Sequence, residues 1–214
     1  MSSIFLEGFF LQAGLILALG AQNIFVLESG IKNQNQYLVA FVCSVCDFLL
    51  IAIGVLGAAT IFVKFPYIKI VFGALGVCFL FIYALQKLRQ SFSENEFEEF
   101  EIHSSLDPKK SILLALGFSL LNPHVYLDTI VLIGGFSSKF SELNNRLIFG
   151  LGAGIFSSLW FFGLASFSRL LKRALRTKKS MRKLNFGASL LLLYLGLTLA
   201  LDVYEWCNEL FIGR

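Results

Sequence analysis

Ser111 to Gly135 is a stretch of 25 residues without a lysine or arginine, and it carries Asn122-Pro123 near its middle. At about 1.5 Å per residue, a helix of that length would cross a hydrocarbon core of about 30 Å. Proline has no amide hydrogen and drives the preceding residue away from helical angles, so the spacing argues against one uninterrupted helix. The same dipeptide is a strong helix start, with Asn122 as N-cap and Pro123 at the first helical position. The stretch is therefore predicted to be two half-helices meeting inside an apolar layer. The second would begin with unbonded amides and a positive dipole end, a setting that suits a carboxylate group.

Comparable apolar runs occur at about Ile4–Leu27, Tyr37–Val63, Tyr67–Leu85, Leu147–Ser168 and Leu184–Leu201. With 57% hydrophobic and 15% charged residues and a mean hydropathy of +0.75, the chain reads as an integral membrane protein. A membrane β-barrel would need alternating segments of about ten residues, and these runs are continuous and longer. The expected fold is all-α, a polytopic membrane bundle of six transmembrane helices forming a single domain over residues 1–214. The long connection, residues 89–110, contains the acidic segment Ser93–Glu101 and is expected to be a mobile cytoplasmic loop or short surface helix. No basic residue precedes Lys32, which argues against a cleaved signal peptide.

Charge placement orients the bundle. The first, third and fifth connections hold 13 of the 18 Lys and Arg residues, eight of them between Arg169 and Lys183. By the positive-inside rule the odd connections are cytoplasmic and both termini lie outside.

Several polar residues interrupt the apolar runs. Gly20, Gln22 and Asn23 sit in the first, which suggests either an irregular backbone facing protein or water, or interhelical hydrogen bonding. Asp47 lies ten residues into the second, where a carboxylate costs about 2.5–3.5 kcal/mol on insertion scales and should face the interior with a partner. His124 and Asp128, four apart, should share a helix face just beyond Asn122. Trp160, with Ser157 and Ser158, would line a path or pack. Glu28, beside Lys32, reads as a solvated interfacial charge. Gly150 and Gly154 give the small-xxx-small pattern of close helix packing. Cys43 and Cys46 are spaced like a redox pair but lie in a helical run, where small packing residues are the simpler account. No His/Cys/carboxylate cluster has metal-ligand spacing.

The two halves of the chain echo one another. Leu27-Glu28 aligns with Leu127-Asp128, which sets Gln22-Asn23 against Asn122-Pro123. Two inverted three-helix repeats, about 1–88 and 111–206, each opening with a broken helix (helices 1 and 4), would produce this pattern.

Four segments carry a resemblance over nearly the whole chain: Leu19-Gly20-Ala21-Gln22-Asn23-Ile24-Phe25-Val26, Ser44-Val45-Cys46-Asp47, Leu121-Asn122-Pro123-His124-Val125-Tyr126-Leu127-Asp128-Thr129, and Leu159-Trp160-Phe161-Phe162-Gly163. The chain resembles the lysine exporter (LysE) family of bacterial inner-membrane amino acid exporters, and within it the arginine-exporting type. The family usually has Gly-Pro where this sequence has Gly20-Ala21, so the first helix is expected to be less sharply broken. The resemblance implies export of basic amino acids, arginine and also lysine, driven by the membrane potential or a proton gradient. It implies a multi-pass inner-membrane location and no cofactor or enzymatic activity. The expected partners are the amino acid, a coupling proton and the lipid bilayer, with a homodimer allowed and no nucleic acid. The substrate carboxylate would approach the helix starts near Asn122 and Gly20–Asn23, while Asp47 and Asp128 would meet its cationic groups or carry the proton. The alternatives are an exporter of the threonine/homoserine type, a membrane thiol-redox or lipid enzyme using Cys43 and Cys46, and a non-transporting subunit.

Overall fold

A computed structural model of the protein describes residues 2–17, 20–58, 66–92, 107–174 and 178–211. Its elements are helices without a strand among the described residues. In chain order they are α1 (Ser2–Ile16), α2 (Ala21–Ile31), α3 (Gln36–Ile53), which runs into a kinked segment at Gly54–Ala58 where Gly57 has a φ of 105°, and α4 (Pro66–Phe92). There follow α5 (Pro108–Leu120) and α6 (Pro123–Tyr126), which continues through π-helical Leu127–Ile133 into α7 (Gly134–Ser137). Last come α8 (Leu143–Ala174) and α9 (Lys178–Phe211). The acidic segment Ser93–Glu101 lies outside the described residues.

Each of the three prolines in the chain opens a helix: Pro66 in α4, Pro108 in α5 and Pro123 in α6. The first turn is where a missing amide hydrogen costs nothing. At α5 the cap is explicit, since the Asp107 side chain accepts from the Lys109 amide at 3.1 Å.

Three helical stretches are long and apolar enough to cross a membrane unaided: Gln36–Gly57, Leu143–Leu170 and Arg182–Glu209. Two bent pairs bring the number to as many as five. α1 and α2 meet at 80°, and α5 meets the helix that follows Pro123 at 64°. The first helix is thus strongly bent although Ala21 replaces the usual proline. Length and composition therefore support three to five crossings, where the apolar runs suggested six. The run Tyr67–Leu85 falls in α4, whose 27 residues extend about 40 Å. Large apolar side chains such as Phe10, Leu49, Leu113 and Leu159 are exposed around the bundle, as a lipid-facing surface requires.

Backbones approach closely at small residues. A Cβ on Gly152 would lie 2.1 Å from the Phe5 carbonyl oxygen and one on Gly8 2.0 Å from that of Phe149, so α1 and α8 touch main chain to main chain. Gly150 and Gly154 face Val55 and the Phe48 ring of the α3 region. α4 lies along α9, whose Arg182 donates to the carbonyls of Ser91 and Phe92 at 3.0 and 3.1 Å and so satisfies the end of α4. Three apolar clusters result among the described residues. The first gathers Phe25, Cys43, Tyr83, Phe118 and Phe161, the second Ile51, Val55, Ile133 and Phe149, and the third Leu50, Tyr126 and Ile130. On α3, Asp47 falls one turn from Cys43 of the first core and one turn from Ile51 of the second. The polar layer of the molecule is sandwiched there.

Candidate functional site

That layer holds a cavity of ≈ 280 Å³ built where both bent helices break. Its volume is near the lower end of the roughly 300–1,000 Å³ common for ligand sites, which suits one small molecule. Gln12 of α1, the start of α2, Asp47 of α3 and the segment around Asn122 to Thr129 supply its walls, with Leu80 and Leu195 as apolar lining. Among the described residues, two carboxylates face this space and no lysine or arginine does.

The first break is held by side chains. Gly20 caps α2 in an extended conformation (φ −80°, ψ 170°) and, as a glycine, offers the first amides of the helix no side-chain cap. The Asn23 amide donates to the Ile16 carbonyl, the last of α1, at 2.8 Å, while its Oδ1 accepts from Trp160 Nε1 at 3.2 Å. Asn23 therefore ties the end of α1 to the start of α2. Trp160 does not line the cavity; it fixes the residue that does. Gln22 Nε2 lies 3.4 Å from Asp47 Oδ1 and donates to Ser119 Oγ at 3.1 Å.

Asp47 is 2% exposed, and Ser157 donates to its second carboxylate oxygen. The sequence reading required a partner for an acid at this depth, and Ser157, Gln22 and the cavity provide it. Asp128 is differently placed. It is half-buried, lines the same cavity and accepts no hydrogen bond among the described residues, so its lone pairs are open to a ligand.

The second break follows the Asn-Pro logic. α5 ends at Leu120, and the next helix starts at Pro123. Asn122 Oδ1 accepts from the His124 amide at 3.2 Å, the bond of an N-cap. Tyr126 donates its hydroxyl to the Leu120 carbonyl across the gap. From α4, Gly76 covers the break so closely that a Cβ there would lie 2.0 Å from the Leu121 carbonyl oxygen. His124 and Asp128 both line the cavity, but the ion-pair geometry of His124 is with Asp202 of α9, 3.4 Å from its Nε2. The helix winds as a π-helix from Leu127, and the two residues still face one cavity.

Beneath the cavity, one turn further along α2 and α4, the rings of Phe25, Tyr83, Phe79 and Phe118 pack edge to face and stacked with centroids 4.8–6.3 Å apart. Another turn on lies a group the sequence did not reveal. Glu28, expected to be solvated, is 4% exposed and pairs with Lys32 at 2.8 Å and with Lys87 of α4, while the Tyr83 hydroxyl faces it at 3.5 Å. Its i,i+4 spacing to Lys32 was the visible signal; Lys87 comes from 59 residues away. Cys43 and Cys46 are buried free thiols. Among the described residues no group of three or more His, Cys, Asp or Glu side chains could hold a metal ion.

The model of the LysE type translocator family matches residues 13–203, which include every residue named on the cavity wall except Gln12. The chain belongs to this family. Among curated members, it is 35% identical to the arginine exporter protein ArgO of Klebsiella pneumoniae (strain 342) over 94% of both chains. It is 34% identical to the proteins of that name from Escherichia coli (strain K12) and Salmonella enteritidis PT4, over 99% of this chain and 100% of theirs. No solved structure matches the chain. As a LysE-family translocator with apolar crossing helices, it is a membrane transport protein.

Proposed function

We propose that this translocator exports L-arginine, and with it L-lysine, from the cytoplasm across the bacterial inner membrane. The observation that carries the reading is the convergence of Asp47 and Asp128, from two different crossings, on one small cavity that lacks any lysine or arginine among the described residues. Such a cavity favours a cation and repels an anion. The names of the relatives point to the same substrate class.

The two ends of an amino acid need different partners. The substrate carboxylate would meet the start of α2 at Gly20–Asn23 and the helix start beyond Asn122, both positive dipole ends. The α-ammonium or the cationic side chain would meet Asp128, whose oxygens are uncommitted, with Asp47 behind it. Loading a buried carboxylate with either a proton or a cation relieves its desolvation, so one site can alternate between the two. A proton gradient or the membrane potential would then drive export.

The bundle would cross the membrane six times, with α4 as the third crossing and the two bent helices opening two inverted sets of three. The end carrying Glu28, Lys87 and the Arg169–Lys183 connection would face the cytoplasm, and both termini the outside. In that orientation the aromatic and charged layers close the cytoplasmic side, and alternating access requires them to part.

Counterflow of labelled arginine, lysine, threonine and homoserine into proteoliposomes tests the reading. Arginine should be taken up against an internal arginine load, and Asp128→Asn should abolish that flux while the protein stays folded in the bilayer. Uptake of threonine or homoserine in preference to arginine would overturn the substrate assignment. Unchanged flux in Asp128→Asn would remove that residue from the mechanism.

A further inference from the structure

Among the described residues, three buried side-chain oxygens have no hydrogen-bond donor: Gln12 Oε1, Gln90 Oε1 and Asn185 Oδ1. Of the three residues, Gln12 alone lines the cavity. It is 2% exposed, and it stands one turn before the end of α1, where Asn23 closes the break. A buried amide oxygen without a donor costs the fold free energy, and such groups are rare unless something else satisfies them. Here the residue that carries the vacant oxygen lines the same cavity as an uncommitted carboxylate.

Resting on the arginine reading above, we infer that Gln12 is a specificity-determining residue, whose side-chain oxygen accepts an N–H of the substrate guanidinium and so favours arginine over lysine. A guanidinium carries five N–H donors in a fixed planar fork and no acceptor. A carboxylate such as Asp128 engages two of them side by side, which leaves the others to find oxygens elsewhere in a dry site. Gln12 supplies a neutral acceptor from another element of the wall, α1, without adding a third charge. The ammonium of lysine is a compact group with three donors, and two carboxylates suffice for it. Removing the Gln12 oxygen therefore strands a guanidinium donor but not an ammonium donor. A site built to satisfy a polar group discriminates because the unmatched partner is left unpaired.

The test is arginine and lysine counterflow by the full chain in proteoliposomes, with half-saturation concentrations compared between wild type, Gln12→Leu and Gln12→Glu. Gln12→Leu should raise the arginine value about tenfold, as expected for losing a hydrogen bond to a charged group, and the lysine value less than about threefold. Gln12→Glu keeps the length and presents acceptors only, so arginine should bind at least as tightly as in wild type. That variant decides the matter if Gln12→Leu does not fold. An unchanged arginine-to-lysine ratio in Gln12→Leu overturns the inference while leaving arginine export standing. Equal weakening of both substrates in Gln12→Glu also overturns it, since that result would mean the amide donates to the shared carboxylate. Absence of arginine flux in wild type would defeat the proposed function itself, and this inference with it.

Discussion

Replacing Glu28 by glutamine should unfold the protein more readily than replacing either lysine around it. The carboxylate serves two ammonium groups at once, Lys32 at 2.8 Å and Lys87 in closer contact, and all three side chains are buried. At an effective dielectric constant of about 20, the Lys32 pair alone is worth about 6 kcal/mol of gross Coulomb attraction, most of it offset by desolvation. Glu28→Gln leaves two buried ammoniums facing one another with a neutral amide between them. Breaking a buried pair in that way costs about 3–5 kcal/mol. Lys87→Met leaves the Glu28–Lys32 pair intact as one charge against one, and removes the repulsion between the two lysines. Its cost should be about 1–2 kcal/mol, chiefly the lost hydrogen bond. The double variant Glu28→Gln/Lys87→Met should be more stable than Glu28→Gln alone, because the second change removes an uncompensated charge. Unfolding of the purified variants in mixed micelles, titrated with a denaturing detergent and followed by tryptophan fluorescence or circular dichroism, gives the ranking. If Glu28→Gln were no less stable than Lys87→Met, or if the double variant were the least stable of the three, the charge-counting argument would fail.

The other predictions concern the breaks and the thiols. Gly76→Ala places a methyl group against the Leu121 carbonyl at a distance that cannot be kept, so the second break must shift; about 1–3 kcal/mol of stability and most of the arginine flux should be lost, measured in the same micelle titration and in counterflow. Trp160→Phe keeps the ring packing but deletes the hydrogen bond to Asn23, and should cost about 0.5–1.5 kcal/mol while lowering the maximal flux more than the apparent affinity. The Cys43→Ser, Cys46→Ser double variant should retain arginine counterflow; loss of flux with a folded, membrane-inserted protein would revive a thiol mechanism.

The parts of this fold that were legible in the sequence are those set by near neighbours. Asn122-Pro123 announced a helix end and a helix start, and Asp107-Pro108 repeats the device at α5. Asp47 and Asp128 stood out because an acid inside an apolar run demands an interior face, and both line the cavity. Partnerships between distant residues were not legible. Glu28 looked solvated because Lys87, the cation that joins Lys32 in burying it, is far along the chain, and His124 looked like a partner for Asp128 because its contact with Asp202 crosses 78 residues. The four-residue spacing still shows in one respect, since His124 and Asp128 line the same cavity. The number of crossings was the least constrained feature, because hydropathy marks a bent pair and a straight helix alike.

The kink after α3 and the helix after Pro123 meet at a pair of glycines. A Cβ on Gly54 would lie 2.8 Å from the Thr129 carbonyl oxygen and the Ile130 Cα, and one on Gly134 would lie 2.6 Å from the Gly54 carbonyl oxygen. Asp47 is seven residues before the first glycine and Asp128 six before the second, so each acid sits within two turns of this weld. Two peptide chains joined so tightly cannot slide past one another without first separating. In the proposed transport cycle the pair of acids would then travel as a single carriage, keeping their spacing on a bound cation while other walls of the cavity swing open and shut.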